Sequence, residues 1–463
     1  METLLPFKPV ELGDRAAIER RTVPSGLTNC DLAFANMYCW QESYRSEWCE
    51  VDGLLVIRFR IDGGERIGYM QPVGTGDFTR ILPLLEADAA AHDQPLRLIG
   101  LTDEAAAALP DDGRFVRYAD RDFADYLYRR EELCRLGGRH YQPKRNHINR
   151  FLAAWPDYRY EPLTERHFAA CLELDERWCH RHEGADDEAA VLAERRAIRR
   201  AFAAFDALGL RGGCLFAEER LVAFTYGSAI NPETFDIHVE KADTRYEGAF
   251  AMINRLFAEQ LPDTVRLINR EEDLGIEGLR RAKLSYYPAL LPDKVRALRL
   301  GASEQACKRL WESCFPEDDP LFVDRFLLGH YLRRRMLAAR SGEAIVAMLH
   351  RIPFDSEAGR MSYLYAVATD PAHRGRGHAS RLVEEAVRAA LAEGDAALFL
   401  IAADEGLRAF YRRFGFEGDI PVRFHTPDGF DFGTGDPTRD RAMLLRLDPS
   451  IPLPERLDCH LTE

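Results

Sequence analysis

The stretch SYLYAVATDPAHRGRGHASRLVEEAVRAALAEGDAALFLIAAD, residues 362–404, decides the fold. Its first eight residues are mostly apolar or aromatic and predict a strand that ends at Thr369. Apolar side chains then recur at helical spacing from Leu382 to Leu391, and Gly394 is a typical helix stop. The apolar run ALFLIAA predicts another strand. The segment is therefore a strand, a helix and a strand, with the turn DPAHRGRG before the helix.

That turn has the composition of an anion-binding site. The first N–H groups of a helix have no partner within the helix, and the helix dipole favours negative charge there. Gly375 and Gly377 let the backbone approach a phosphate without an intervening Cβ. Arg374 and Arg376 add donors for charge-assisted hydrogen bonds. We therefore expect a phosphate group to bind at this turn.

The same succession of an antiparallel meander, a helix and an apolar strand occurs three times along the chain. The copies cover residues 48–100, 214–271 and 335–404. A period above 100 residues indicates repeated domains rather than a solenoid. The length of 463 residues also fits about three domains. We therefore predict an α/β protein with mixed (α+β) sheets, built from three similar units.

Composition excludes several classes of protein. The chain is 46% apolar and 30% charged, which is ordinary for a globular protein. It contains no apolar run of about 20 residues and no leading signal segment, so we expect a cytoplasmic protein without a membrane span. The net charge of −14 disfavours general nucleic-acid binding. The ten cysteines show no CxxC or Cys/His spacing, so we expect reduced thiols and no metal site.

One local stretch between the first two copies is basic. Two interpretations remain open: a solvated helix face, or a cradle for the phosphate of a nucleotide, a lipid head group or an RNA end. The basic residues in it are Arg129, Arg130, Arg135, Arg139, Lys144, Arg145 and Arg150.

The C-terminal third resembles the GNAT acetyltransferases. Residues 374–379, RGRGHA, match the family signature (Gln/Arg)-x-x-Gly-x-(Gly/Ala) between a strand and a helix. Residues 397–416, ALFLIAADEGLRAFYRRFGF, look like the next strand and helix of the family, ending in Tyr-x-x-x-Gly-Phe. The resemblance covers about residues 300–448. It implies a GNAT domain over 300–449 and makes all three units GNAT-like, that is, related to acyl-CoA N-acyltransferases.

The resemblance also implies a site. Acetyl-CoA, the acyl donor, would lie between two splayed parallel strands, with Tyr411 as general acid towards the CoA thiolate. Phe399 stands where some relatives carry a glutamate base, so the base would be water or lie elsewhere. Asp404 replaces an asparagine that is frequent in the family. The cofactor-binding residues would be Val367, Ala368, Thr369, Arg374, Gly375, Arg376, Gly377, His378, Ala379, Ser380 and Asp404.

The first 297 residues resemble a second family through residues 125–151 and 268–295. It is a bacterial family of unknown function, related to the soluble catalytic domain of phosphatidylglycerol lysyltransferase and more distantly to the Fem-type aminoacyltransferases. Those relatives fuse two GNAT-like folds and take an amino acid from aminoacyl-tRNA. The resemblance implies a tandem domain over 1–297, with sub-units of about 1–155 and 156–297. In the second half Phe250 replaces the small residue that ends the phosphate signature, and the first half retains only Gly74 and Gly76 of it. Neither half should therefore bind CoA in the ordinary way.

A dense polar set in the tandem domain is a candidate substrate pocket; the alternative is an ion-paired surface loop. The candidate residues are Lys144, Arg145, Asn146, Asn269, Arg270, Glu271, Asp273 and Lys283.

Three functions are compatible with these patterns. The favoured one is an acyl-CoA-dependent N-acyltransferase that moves acetyl to a primary amine, on a small molecule or a peptide, by direct attack. The second is an aminoacyl-tRNA-dependent transferase acting through the tandem domain, with tRNA on the basic stretch 129–150. The third is a tandem domain that is inert and only recruits the acceptor.

Overall fold

The computed structural model describes residues 5–61, 64, 66–181, 188–342, 344–426 and 429–462. In that part of the chain the strands form three mixed sheets with helices packed on them. The predicted α/β class with mixed sheets is confirmed. None of the helices in these ranges is long and apolar enough to span a membrane.

Strands and helices alternate along the chain. The strands are β1 (Lys8–Pro9), β2 (Glu47–Val51), β3 (Leu54–Arg60), β4 (Ile67–Met70), β5 (Val73–Gly74), β6 (Arg97–Leu101), β7 (Phe115–Ala119), β8 (Leu127–Arg129), β9 (Arg159–Pro162), β10 (Arg211–Ala217), β11 (Arg220–Asn231), β12 (Thr234–Ala242), β13 (Leu267–Asn269), β14 (Val295–Arg299), β15 (Met336–Ser341), β16 (Ala344–Ser356), β17 (Gly359–Thr369), β18 (Ala397–Ile401), β19 (Glu417–His425), β20 (Arg441–Arg446) and β21 (Leu457–Leu461). The helices are α1 (Arg15–Thr22), α2 (Phe34–Cys39), α3 (Gln41–Tyr44), α4 (Leu82–Ala91), α5 (Asp103–Ala108), α6 (Arg130–Arg135), α7 (Gln142–Ala154), α8 (Glu165–Arg181), α9 (Glu188–Ala203), α10 (Ala249–Gln260), α11 (Glu277–Leu284), α12 (Ala302–Cys314), α13 (Pro320–Gly329), α14 (His378–Glu393) and α15 (Glu405–Arg412).

The three sheets share one internal order. The first runs β1-β2-β3-β4-β6-β14-β7, with β5 beside β3; the second runs β8-β13-β12-β11-β10-β9; the third runs β15-β16-β17-β18-β20-β19-β21. Each contains three antiparallel strands and then a fourth strand that is parallel to the third and reached through a helix. These crossovers are β4–α4–β6, β12–α10–β13 and β17–α14–β18. The repeat predicted from sequence is therefore a repeat of topology.

The first two units exchange the strand that follows the parallel pair. β14 comes after the second unit in the chain but pairs with β6 of the first sheet, with Val295 opposite Leu101. β8 comes before the second unit's meander but pairs with β13 of the second sheet, with Ile268 opposite Tyr128. The two sheets interlock for this reason, and a boundary near residue 155 does not separate them.

Apolar cores join the units. One core lies between the first two sheets and includes Leu55 from β3 and Phe224 from β11. The core of the third unit extends to Val116, Leu298 and Leu300 at the edge of the first sheet. β11 is buried along nearly its whole length because cores lie on both of its faces.

Candidate active site

Strands β17 and β18 stop pairing partway along their length, and the gap beyond the last pair is called the cleft here. They pair only from Met361 opposite Ala397 to Tyr363 opposite Phe399, so the rest of β17 has no strand partner on that side among the described residues. A β-bulge lies beyond the last paired residue, where the φ angle of Ala366 is +48°. Bulges bend a strand and increase its twist locally. Val367, Ala368 and Thr369 therefore present one backbone edge to the cleft.

The turn that follows β17 is open where an anion would approach. Asp370 accepts a hydrogen bond from the Ala372 N–H at 2.8 Å and so fixes the start of the turn. Gly375 and Gly377 have φ angles of +75° and +77°, and a Cβ built at either would meet no atom within 4 Å. The left-handed backbone favours glycine at both positions, and the space above them is unfilled.

Helix α14 begins at this turn with its first N–H groups available. Gly377 is the N-cap, and no side chain caps the helix. Its first turn contains His378, Ala379 and Ser380, all half-buried. Partial burial and the nearby charge of Arg381 lower the pKa of His378. The imidazole is therefore neutral near pH 7, so the positive field comes from the helix dipole and the arginines.

Both arginines of the turn are exposed but tethered. Arg374 Nε donates to the Thr369 carbonyl at 3.2 Å, and an Arg376 Nη donates to the Ala372 carbonyl at 3.2 Å. Each guanidinium has five N–H donors, so most donors remain for a ligand. The structure thus brings the predicted anion-binding residues together at one helix terminus beside the cleft.

Tyr411 lies near the end of α15 with 6% of its surface exposed. Its ring contacts those of Phe410 and Phe416, with centroids 5.0 and 5.9 Å away. Burial raises the pKa of the Tyr411 hydroxyl above its ordinary value. The phenol therefore remains protonated through the physiological range, as a general acid requires.

Asp404 and Phe399 differ from the residues that the GNAT resemblance implies at their positions. Asp404 is the N-cap of α15, and its Oδ1 accepts a hydrogen bond from the Leu407 N–H at 2.8 Å. Phe399 is fully buried and stacks on Tyr363, with ring centroids 4.8 Å apart. An aromatic pair therefore occupies the place where a carboxylate base would stand.

The polar set of the tandem domain divides into several groups rather than one pocket. Asn269 donates to Asp125 at 2.9 Å, within the interior between the first two sheets. Arg270 pairs with Glu240 at 2.9 Å. Glu271 lies 3.3 Å from the ring of His238. These three residues follow one another, yet their side chains enter different surroundings.

Asp273 and Lys283 stabilise the segment between β13 and α11. Burial alone would raise the pKa of Asp273, but hydrogen bonds from Arg280 and Tyr126 lower it to about 2. Lys283 Nζ donates to the Arg270 carbonyl at 2.6 Å and also to that of Glu272. Burial lowers the pKa of Lys283. Both side chains therefore fix the loop between β13 and α11.

The basic stretch is largely held by contacts within the chain. Lys144 Nζ lies 3.7 Å from the centroid of the Tyr286 ring, and burial together with the charge of Arg270 lowers its pKa to about 8. Arg145 donates to the Gly138 carbonyl at 2.8 Å, and Asn146 accepts from Gln142 at 2.8 Å. Of these three residues only Lys144 lies beside Arg270.

Sequence reasoning missed a second charged cluster, formed by Asp236, His238 and Glu271. Burial and the charge of Glu271 raise the pKa of Asp236 to about 7. Burial would lower the pKa of His238, but the charges of Asp236 and Glu271 raise it to about 9. The available signal is the alternation of Asp236, His238 and Glu240 along β12, a strand that is otherwise mostly apolar and buried.

A third cluster surrounds Lys294. Its Nζ lies 2.9 Å from Asp125 Oδ1, 3.1 Å from Asp31 Oδ2 and 3.3 Å from Cys30 Sγ, and it also contacts Glu272. Burial would lower the pKa of Lys294, but Asp125 and the other acidic groups raise it well above its ordinary value. This ammonium group therefore remains charged and offsets part of the negative charge of the carboxylates around it.

Comparison with known proteins assigns both parts of the chain. The family described as phosphatidylglycerol lysyltransferase, C-terminal, matches residues 24–293, and the acetyltransferase (GNAT) domain family matches residues 294–418. Among curated proteins, none matches this sequence.

Several solved structures are similar to all or part of the chain. A conserved protein of unknown function from Bacteroides thetaiotaomicron is 43% identical, with a TM-score of 0.62, over 64% of this chain and 100% of that one. The lysylphosphatidylglycerol synthase of Bacillus licheniformis (13% identity, TM-score 0.46) matches over 72% of this chain and 99% of its own. A GNAT-family N-acetyltransferase of Escherichia coli in complex with CoA (18% identity, TM-score 0.28) matches over 35% and 87%. The family match spans more than half of the chain, so this protein belongs to the phosphatidylglycerol lysyltransferase C-terminal family, here followed by a GNAT acetyltransferase domain.

Proposed function

We propose that the third unit transfers an acetyl group from acetyl-CoA to a primary amine on a small molecule or a peptide. The observation that carries this proposal is the open turn at the start of α14, directly beside the cleft between β17 and β18. The GNAT match supports an acyl-CoA-dependent N-acyltransferase at a general level. We further propose that the acyl group is acetyl and that the protein is cytoplasmic.

Each part of the proposed site has its own role in binding acetyl-CoA. Residues 374–380 hold the CoA pyrophosphate through backbone N–H groups and the two arginines. The backbone edge at Val367, Ala368 and Thr369 holds the pantetheine and polarises the thioester carbonyl, which stabilises the oxyanion. Asp404 would contact the cofactor through its second oxygen, because Oδ1 caps α15.

The chemical step balances without a covalent enzyme intermediate. The lone pair of the neutral amine attacks the thioester carbon and forms the new C–N bond. The tetrahedral intermediate then expels CoA by breaking the C–S bond, and the departing sulfur takes a proton from Tyr411. The amine nitrogen loses a proton to water, because Phe399 leaves no carboxylate on β18 at the position of the usual base. The Tyr411 phenolate takes a proton back from water, which restores the enzyme.

A pair of glycine variants tests the cofactor site. Gly377→Glu places a bulky anion where the pyrophosphate should lie, whereas Gly394→Glu makes the same change at the far end of α14. Both glycines have positive φ, and a Cβ at either meets nothing within 4 Å, so the local strain is matched. We expect calorimetry on the full chain to show no acetyl-CoA binding by Gly377→Glu and nearly normal binding by Gly394→Glu. Unchanged affinity in folded Gly377→Glu would refute the site.

Amine acetylation is then tested directly. The wild-type chain is incubated with acetyl-CoA and a library of primary amines, and mass spectrometry looks for products heavier by one acetyl group. Gly394→Glu should form the same products and Gly377→Glu none. If propionyl-CoA is used as readily as acetyl-CoA, the acetyl preference is wrong but the acyltransferase stands.

The family assignment of residues 24–293 favours a second candidate function. It is the transfer of an amino acid from aminoacyl-tRNA through the tandem domain, with Lys144, Arg145 and Asn146 near the RNA. Filter binding of tRNA should then weaken linearly on a logarithmic scale as salt rises. Arg139→Gln, an exposed change in the same stretch, should weaken binding further. If tRNA does not bind even at low salt, the inert acceptor-recruiting role becomes the better explanation.

A further inference from the structure

We propose that Asp236, His238 and Glu271 bind a single divalent metal ion of the zinc class. This site lies in the tandem domain and is independent of the acetyl-CoA site. It differs from our expectation from sequence, which was that the chain has no metal site. One atom from each side chain can act as a ligand, and these atoms lie within 4.8 Å of one another.

The distances favour metal ligands over hydrogen bonds. His238 Nδ1 lies 3.4 Å from Asp236 Oδ2 and 3.3 Å from Glu271 Oε1. Hydrogen bonds between an imidazolium and a carboxylate are usually about 2.7–2.9 Å long. Tetrahedral zinc with bonds of about 2.0–2.1 Å places neighbouring ligand atoms about 3.3–3.4 Å apart. The two histidine–carboxylate distances are therefore longer than those of a close ion-pair hydrogen bond and match the spacing of ligand atoms around one zinc ion.

The outer contacts of the histidine fit the same interpretation. Its Nε2 lies 2.8 Å from Ser228 Oγ, which can accept the N–H of that nitrogen. The lone pair of Nδ1 is then directed towards the two carboxylates. Histidines that bind metals almost always donate their other N–H in this way, and the contact fixes the ring.

The carboxylates are incompletely satisfied without a cation. Asp236 is fully buried, and its Oδ1 has no hydrogen-bond partner in the described part of the chain. Asn36 Nδ2 donates to Glu271 at 2.9 Å and lies 3.3 Å from Asp236. A protonated His238 would offset only one of the two carboxylate charges. A dication bound by a neutral imidazole and two carboxylates leaves the group neutral.

The neighbouring cluster of Cys30, Asp125 and Glu272 offers a useful contrast. It could also hold an ion by composition, but the Lys294 ammonium already lies among its ligand atoms. No lysine or arginine ion pair is found for Asp236 in the described residues. The structure therefore favours one metal site and not two. A small cleft lined by Asn36, Trp40 and His238 borders the proposed site on the side of the histidine.

Metal binding by the full chain tests the proposal. Protein dialysed against a chelator is titrated with zinc chloride by calorimetry, and its metal content is measured after gel filtration. We expect one zinc ion per wild-type chain and none of this binding in His238→Gln. The matched control is His147→Gln, which removes a half-exposed histidine 3.6 Å from Glu247 and should leave binding unchanged.

A milder variant keeps the test decisive if His238→Gln folds poorly. Ser228→Ala removes only the outer contact, and loss of such a contact typically weakens metal affinity about 10–100-fold. Folded wild-type protein that takes up no zinc would overturn the proposal, as would His238→Gln or Ser228→Ala that binds it normally. The proposal would also be overturned if zinc did not bind and a small primary ammonium compound stabilised the wild type but not His238→Gln. The cluster would then be an amine site.

Discussion

Substitution of Tyr411 by phenylalanine tests the proposed chemistry most directly. The change removes one oxygen and retains a ring that is 94% buried, so packing against Phe410 and Phe416 should persist. No hydrogen bond of the hydroxyl is found within the described residues, so stability should hardly change. Loss of a general acid typically costs about 10²–10⁴ in rate, which corresponds to about 3–5 kcal/mol in the barrier. We therefore expect kcat to fall within that range while acetyl-CoA affinity is retained.

The assay follows release of the free thiol, with thioesters of different leaving-group acidity. A more acidic thiol needs less protonation as it departs, so the loss should shrink with such donors. Tyr331→Phe is the control, because it also removes a buried phenol oxygen, one bonded to Glu304 at 3.1 Å. Its kcat should be nearly unchanged. Near-normal kcat in Tyr411→Phe would make Tyr411 a packing residue, and an equal loss with every thiol would refute the general-acid role.

Three further predictions concern the tandem domain. Lys294→Met leaves Asp125 and its neighbours buried without a counter-charge, so urea denaturation should show a loss of about 3–5 kcal/mol, and the added change Asp125→Asn should recover part of it. Because folding lowers the pKa of Asp273 from 3.8 to about 2, its contribution to stability is present above 3.8 and is lost as pH falls towards 2; Asp273→Asn should flatten the stability curve across that interval. A Cβ at Gly248 would lie 2.2 Å from the His147 carbonyl oxygen at a φ of +90°, so Gly248→Ala should lower the melting temperature, and an unchanged value would contradict this placement of α7.

The local features of this fold could be predicted from the sequence because short-range physics determines them. Alternating apolar residues specify the meanders, and helical periodicity specifies α14, whose buried face includes Leu382 and Ala386 as expected. The anion-binding turn is equally local, since two glycines and a helix start lie within four residues. The prediction of three units and the proposal of an acetyl-CoA site both rest on these local features.

The exchanged strands could not be predicted in this way. β14 pairs with β6 across almost 200 residues of sequence, and nothing in the composition of five residues selects that partner over a nearer one. The same holds for Asp236, His238 and Glu271, because their meeting depends on the parallel pairing of β12 with β13. A polar residue in a buried strand indicates that its side chain has a specific partner. That partner can be named only once the order of the strands in the sheet is known.

The strand exchange also constrains how the domains can be separated. A fragment that ends at residue 297 lacks the last two of the five residues of β14, which lies between β6 and β7 in the first sheet. Leu298 and Leu300 would be lost with it, and both are buried in the core that the first sheet shares with the third unit. Failure of such a fragment to bind a ligand would therefore report damage to the first sheet and not the absence of a site. For this reason the variants proposed above keep the full chain, in which β14 is complete and lies between β6 and β7.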